Sequence, residues 1–153
     1  MATNKEKASE NKEILLAQWQ TCVEMANATS QRRDSMNNIF VTLNLAIIAA
    51  VTFVWDIKSI FVLVAGVIVC ILWLIFIRNF KLLNTAKFDV INTMEKQLPA
   101  KPFSDEWEKL QKTKKYCDST KLEKVLPWTF IVLYVAAAII ITIIKFCPEG
   151  GTA

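Results

Sequence analysis

Few side chains in this 153-residue sequence could perform chemistry. Histidine, a common general base and metal ligand, is absent. The nearest approach to a carboxylate cluster is Asp105, Glu106 and Glu108, which catalysis would require to lie in a dry cleft with shifted pKa values. Their spacing instead predicts the solvated surface of a short helix. We therefore expect no enzyme activity, no catalytic residue and no cofactor.

The cysteines and the lysine-rich stretch also lack a recognisable site pattern. No CxxC spacing joins the four cysteines, so we expect neither a metal site nor a disulfide framework. They are Cys22, Cys70, Cys117 and Cys147. Four lysines lie between Lys109 and Lys115, without interleaved aromatic residues. This pattern favours a solvated face attracted to an acidic membrane surface over nucleic-acid recognition.

Long apolar runs alternate with charged segments in this sequence, in which 54% of the residues are hydrophobic and 21% are charged. The runs cover residues 39–55, 60–77 and 128–146 and contain one charged residue, Lys145. At about 1.5 Å per residue each covers roughly 25–29 Å, close to the hydrocarbon thickness of a bilayer. None shows the polar stripe of a helix in a soluble bundle. The predicted fold is all-α, with three transmembrane helices.

The distribution of lysine and arginine predicts the orientation of these spans. Eleven lie in the connection 78–127, whereas the short turn between the first two spans contains only Lys58. We therefore expect a cytoplasmic N-terminus and an extracytoplasmic tail over 147–153. Three arginines at the cytoplasmic edge are expected to contact anionic lipid headgroups as well as to set the topology. They are Arg32, Arg33 and Arg78.

The segments outside the spans predict helices that extend the first two spans into the cytoplasm. We predict that residues 1–10, which are small and charged, are disordered. In residues 11–38 the apolar positions are spaced by three and four, which predicts an amphipathic helix as in a coiled coil. The second span is expected to continue to Leu98, before Pro99. The two arms would form a long antiparallel hairpin. Its predicted packing residues are Leu15, Trp19, Cys22, Ala26, Ile91 and Met94.

Capping patterns predict where the last two helices begin. Ser104 is a candidate N-cap for a short helix that carries Trp107. The sequence from Thr120 to Glu123 fits a capping box that opens the third spanning helix. Pro127 would then lie inside that helix and kink it.

Apart from Lys145 at the end of the third run, Asn44 is the one strongly polar side chain inside a predicted span. One interpretation is a group that lines a pore or contacts a substrate. The other is an interhelical hydrogen bond that fixes the packing of the spans, with a contribution of about 1 kcal/mol. The surrounding apolar sequence favours the second.

Four stretches together resemble the RipA family of small bacterial membrane proteins, which are described as octameric. They run from Trp19 to Arg33 and on to Asn44, from Arg78 to Phe88, from Pro102 to Trp107, and from Lys121 to Pro127. The resemblance covers roughly residues 14–134 and carries no catalytic residue. It implies a bacterial inner-membrane protein that assembles as an octamer. Subunits of one orientation can close into a ring only around an axis along the membrane normal.

Three functions fit these features. The first is a non-enzymatic homo-oligomer, expected to be octameric, that acts as a membrane scaffold or regulatory assembly with a cytoplasmic helical bundle. The second is an oligomeric channel or pore-forming effector, against which the nearly uncharged spans argue. The third is an accessory subunit of a larger complex. The partners we expect are other copies of the chain and anionic lipids, and the sequence indicates no further protein partner.

Overall fold

The structure is a computed structural model that describes residues 4–53, 56–113 and 118–146. These residues form four helices and no strand: α1 (Asn4–Phe53), α2 (Ser59–Glu95), α3 (Pro102–Lys112) and α4 (Ser119–Phe146). Three of them, α1, α2 and α4, are long and apolar enough to cross a membrane. The predicted all-α fold with three membrane-spanning helices is confirmed.

The chain forms two compact units. The first, which we call the arm unit, comprises Met1–Arg33 and Asn79–Cys117. The second, the span unit, comprises Asp34–Arg78 and Asp118–Ala153. The helices α1 and α2 contribute residues to both units.

Aromatic side chains dominate the core of the span unit. Phe40 of α1 stacks on Trp73 of α2 with ring centroids 5.6 Å apart, and Phe130 of α4 lies 6.3 Å from the same indole. Buried residues in the span-unit part of α2 recur every three or four positions, which places them on one face of the helix. They are Ser59, Leu63, Gly66, Cys70, Trp73 and Ile77.

Contacts between α1 and α2 in the span unit establish an antiparallel hairpin. Asn37 contacts Trp73, whereas Asn44, further along α1, contacts Cys70, which comes earlier in α2. A hydrogen bond from the Ser59 amide to the Asp56 carbonyl, 2.9 Å long, closes the turn that leads into α2.

The beginning of α1 and the end of α2 differ from the predicted positions. The first helix begins at Asn4 rather than near Asn11, because the polar segment before Asn11 is rich in Lys, Glu and Ala, which are good helix formers. The second helix ends at Glu95 rather than at Leu98. Pro99 disfavours helical geometry in the residue before it, and the Leu98 amide bonds instead to the Glu95 carbonyl.

The predicted caps of α3 and α4 were wrong. Ser104 lies inside α3, which begins at Pro102 with Lys101 at the N-cap position and no side-chain cap from that residue. The helix α4 begins at Ser119, and its first turn is capped by Asp118, whose carboxylate accepts the Thr120 amide at 2.9 Å. Pro127 does lie inside α4, as predicted.

Candidate functional site

Asn44 lies at the centre of a hydrogen-bonded cluster that joins α1, α2 and α4. The residue is fully buried. Its Oδ1 accepts the Tyr134 hydroxyl at 2.7 Å and the Cys70 thiol at 3.1 Å. Its Nδ2 donates to the carbonyl of Phe40, one turn earlier in α1, at 2.7 Å. The Asn44 side chain is therefore hydrogen-bonded inside the protomer. We call Asn44, Cys70 and Tyr134 the Asn44 cluster.

Gly66 gives Tyr134 the space to reach Asn44. A Cβ atom at position 66 would lie 2.7 Å from Cε2 and 2.8 Å from Cζ of the Tyr134 ring, closer than carbon atoms can approach. The glycine therefore sets how closely the Tyr134 ring can approach α2. Sequence reasoning missed this role, because a lone glycine in an apolar helix has no distinguishing neighbour pattern.

A second hydrogen bond in the span unit fixes Trp73. Its indole N–H donates to Asn37 Oδ1 at 2.8 Å, and the residue is only 1% exposed. The Trp73 side chain therefore lies in the core, whereas Trp128 of α4 is 57% exposed.

The threonines of the spans bond to their own helix. Each hydroxyl donates to a backbone carbonyl three or four residues earlier, at 2.7–2.9 Å. They are Thr42, Thr52, Thr129 and Thr142. In a bilayer this geometry satisfies a donor that lipid cannot.

One ion pair lies next to the hairpin turn. Lys145, the charged residue of the third span, is 3.4 Å from Oδ1 of Asp56. The pKa of Asp56 is lowered, first by the hydrogen bond from the Ile57 amide at 2.7 Å and then by the Lys145 ammonium.

The predicted packing residues of the arm unit fall on its less exposed faces. Ala26 and Ile91 are buried. The other four are half-buried: Leu15, Trp19, Cys22 and Met94. The Trp19 ring lies 5.9 Å from that of Phe103 on α3, a residue that the sequence did not connect with this packing.

Glu95 holds the beginning of α3 and was missed by sequence reasoning. Its side chain is fully buried, and its two carboxylate oxygens accept the amides of Phe103 and Ser104, both at 3.1 Å. The Ser104 hydroxyl also donates to it, at 3.0 Å. A carboxylate at this position complements the positive end of the α3 dipole and replaces the cap that Lys101 cannot supply.

The remaining predicted site residues lie on the surface or outside the described residues. Arg32 and Arg78 are exposed, and Arg33 is half-buried. Cys22 and Cys70 are free thiols, and Cys117 and Cys147 lie outside the described residues. The described part of the chain contains no group of three or more Cys, Asp or Glu residues that could hold a metal ion.

Large apolar side chains also remain exposed on the arm unit, outside the predicted spans. Met25 is 54% exposed and Leu82 is 59% exposed. Others on the same unit are Ile14, Leu16, Leu83 and Val90.

Comparison with known proteins identifies one family. A model of the octameric membrane protein family (8xMP) matches residues 16–144, whereas no curated protein and no solved structure matches the chain. The matching model does not bear the name RipA, so the narrower resemblance stays a prediction. The family name and the three helices able to cross a membrane together imply an oligomeric membrane protein. The chain belongs to the octameric membrane protein family.

Proposed function

We propose that this protein is a non-enzymatic homo-oligomer, an octamer, that acts as a membrane scaffold or regulatory assembly. The observation that carries this proposal is that the Asn44 side chain is hydrogen-bonded within its own protomer. The amide oxygen of Asn44 already accepts two hydrogen bonds from neighbouring helices of its own protomer. Such a side chain stabilises the helix packing and does not face a lumen.

The outer faces of the spans support a scaffold over a channel. A selective pore presents rings of charges or of backbone carbonyls to the permeating ion. Within the predicted spans, apart from Lys145, the large exposed side chains are instead apolar, including Phe61, Ile68 and Ile139, and the exposed threonine hydroxyls are bonded to their own helices. An oligomer of such helices would enclose an apolar surface.

The exposed apolar residues of the arm unit support self-association. The family name supplies the partner, other copies of the same chain. We propose that exposed apolar residues of α1 and α2 in this unit, among them Met25, Leu82 and Val90, pack against a neighbouring subunit and form a cytoplasmic helical bundle.

The proposed location is a bacterial inner membrane, with the N-terminus and the 78–127 connection on the cytoplasmic side. The basis is the concentration of lysine and arginine in that connection, together with the RipA resemblance. In this orientation Arg32, Arg33 and Arg78 lie beside the inner leaflet and contact anionic headgroups, each contributing about 1 kcal/mol.

The mass of the detergent-extracted full-length particle tests the oligomeric scaffold. We expect eight subunits, and a monomer would contradict the proposal. Leu82→Glu should reduce the subunit number by placing a charge on the proposed interface. Thr93→Glu introduces the same charge at an exposed polar position of α2 and serves as the control.

A reporter fused after Ala153 tests the orientation separately. We expect an extracytoplasmic signal. A cytoplasmic signal would contradict the three-span topology without bearing on the subunit number.

A further inference from the structure

A groove of about 450 Å³ runs along one side of α4. Its lining includes two lysines, Lys121 and Lys124, followed along the helix by Val125, Trp128, Val132 and Leu133. The spacing of these positions places them on one side of the helix, over about 18 Å of its length. The groove lies wholly within the span unit, and neither the Asn44 cluster nor the proposed contacts of the arm unit involve it.

The groove is charged at one end and apolar at the other. Lys121 and Lys124 lie in the first two turns of α4, before the predicted third span begins at Trp128. Val132 and Leu133 lie inside that span, and both are exposed. A phospholipid has the same order of groups along its length, with a charged head followed by an apolar chain.

The charge of the groove is positive. Among the described residues no Asp or Glu lines it. Thr129 lines it too, but its hydroxyl donates to the carbonyl of Val125 at 2.9 Å. Trp128 lies between the two ends, at the position where tryptophan is typical of a membrane–water interface. Charge complementarity therefore favours an anionic headgroup beside the two lysines.

A second copy of the chain is a less suitable occupant of this groove. Within seven residues of the first two spans on the same side of the membrane lie Arg32, Arg33, Arg78 and Lys81 but one carboxylate, Asp34. A neighbouring subunit would therefore bring mostly like charge to the two lysines, which is unfavourable. An anionic headgroup brings the opposite charge.

We propose that this groove binds one anionic phospholipid. Its phosphate lies between the ammonium groups of Lys121 and Lys124, and an acyl chain follows Trp128, Val132 and Leu133. The headgroup contacts proposed for the arginines of α1 and α2 require only charge near the membrane surface, whereas this site also holds a chain against the protein. Binding here does not depend on the number of subunits.

Photolabelling of the full-length protein in detergent tests the location of the lipid. The probe is phosphatidylglycerol with a photoreactive diazirine in one acyl chain, and tandem mass spectrometry locates the adducts. We expect adducts to be concentrated between Val125 and Leu133. Adducts spread evenly over the spanning helices, or concentrated on α1 and α2, overturn the proposal.

Competition between two unlabelled lipids tests the selectivity for an anionic headgroup. Phosphatidylglycerol should displace the probe at a concentration at least about fivefold lower than phosphatidylcholine with the same chains, since lysines near a membrane surface favour anionic headgroups on that scale. Equal displacement by the two lipids overturns the proposal.

Removal of the two lysines tests the charged end of the groove. The double variant Lys121→Gln with Lys124→Gln should require about tenfold more probe for half-maximal labelling of α4. The control, Lys96→Gln with Lys109→Gln, removes the same charge from exposed positions that do not line the groove, and should stay within about twofold of the parent protein. Equal losses in the two double variants would mean a general attraction to positive charge and would overturn the proposal.

Trp128→Ala tests the apolar part of the groove. The variant removes apolar surface that the acyl chain would cover, so we expect labelling to weaken about threefold. Trp107→Ala removes an indole of similar exposure on α3, outside the groove, and should have no effect. Equal labelling of Trp128→Ala and the parent protein would show that the chain does not lie in the groove, and would overturn the proposal.

The mass of each particle, measured alongside, separates this site from the scaffold. An intact oligomer without preferential labelling of α4 rejects the lipid site and leaves the scaffold standing. A monomer that is labelled as expected rejects the scaffold and leaves the lipid site standing. A smaller particle in the lysine variant, together with no preference of the parent protein for phosphatidylglycerol, assigns this side of α4 to a neighbouring subunit and rejects the lipid site.

Discussion

The span unit and the arm unit satisfy their buried polar groups in different ways. In the span unit the interhelical bonds join uncharged groups, the amide of Asn44, the thiol of Cys70 and the hydroxyl of Tyr134. In the arm unit a carboxylate, Glu95, accepts three hydrogen bonds at the beginning of α3. A charge is costly where water is excluded by lipid, whereas a segment outside the spans can use one.

The two units also differ in the side chains that they expose. The span unit exposes apolar side chains and threonines bonded to their own helix, which suits contact with lipid or with other spans. The arm unit exposes apolar side chains outside the predicted spans, Met25 and Leu82 among them, which suits contact with a neighbouring subunit.

The largest effect that tests this comparison is expected from Gly66→Leu. The added side chain would collide with the Tyr134 ring and break the Asn44 cluster, so we expect the free energy of unfolding in detergent to fall by about 3 kcal/mol. The control is Ala65→Leu, because Ala65 is exposed on α2 and the larger side chain would face lipid. Equal stability of the two variants would contradict the close contact at Gly66.

Loss of the central amide should have the next largest effect. Asn44→Leu would leave the Tyr134 hydroxyl and the Cys70 thiol without their acceptor, and we expect a loss of about 1–2 kcal/mol. Tyr134→Phe alone should cost about 1 kcal/mol. The double variant should cost less than the sum of the two, since the hydroxyl left unpaired by Asn44→Leu is then absent. Additive losses would mean that the two side chains act independently.

Glu95→Gln tests the charged bond of the arm unit. The amide side chain keeps one acceptor oxygen but loses the second and the negative charge, so we expect the beginning of α3 to open more often, at a cost of about 1 kcal/mol. Hydrogen exchange at the Phe103 and Ser104 amides should accelerate about fivefold, whereas exchange in α4 should not change. Glu108→Gln, which removes an exposed charge of α3 paired with Lys112, is the control.

The smallest effect is expected at the exposed pair of Asp56 and Lys145. Because folding lowers the pKa of Asp56, this carboxylate stabilises the folded state at pH values above its unfolded pKa of 3.8, and the contribution is lost as the pH falls through the lower folded pKa. Carboxyl titration by NMR should give a pKa below 3.8. Lys145→Met should raise that pKa only in part, since the Ile57 amide is the larger cause. An unchanged pKa in the variant would show that the ion pair does not form in solution.

The sequence was sufficient for the helices and spans because these depend on long runs of one kind of residue. Residues 39–53 of the first run and the whole of the runs 60–77 and 128–146 fall within helices long and apolar enough to cross a membrane. Trp19 and Ala26 of α1 and Ile91 of α2 are shielded in the arm unit, whereas their role in hairpin or oligomer packing stays a prediction. Periodicity along one helix determines which residues share a face.

The sequence was not sufficient for the contacts between helices. Asn44 was identified as polar within a span, but its partners lie 26 and 90 positions away, and periodicity cannot select them. Glu95 was missed because it caps α3 from beyond the break at Pro99, whereas capping patterns consider only adjacent residues. Ser104 was assigned as a cap by that local pattern, although its own amide and hydroxyl bond to Glu95.

Planar-bilayer recording on the purified full-length oligomer tests most directly whether the assembled spans conduct ions. Because the Asn44 side chain is bonded within its protomer and the outer faces of the spans are apolar, we expect no ionic current at any voltage that the bilayer tolerates. The same result is expected for Asn44→Asp. A steady current whose ion selectivity changes in Asn44→Asp would place Asn44 in a conducting lumen. That result would contradict the account.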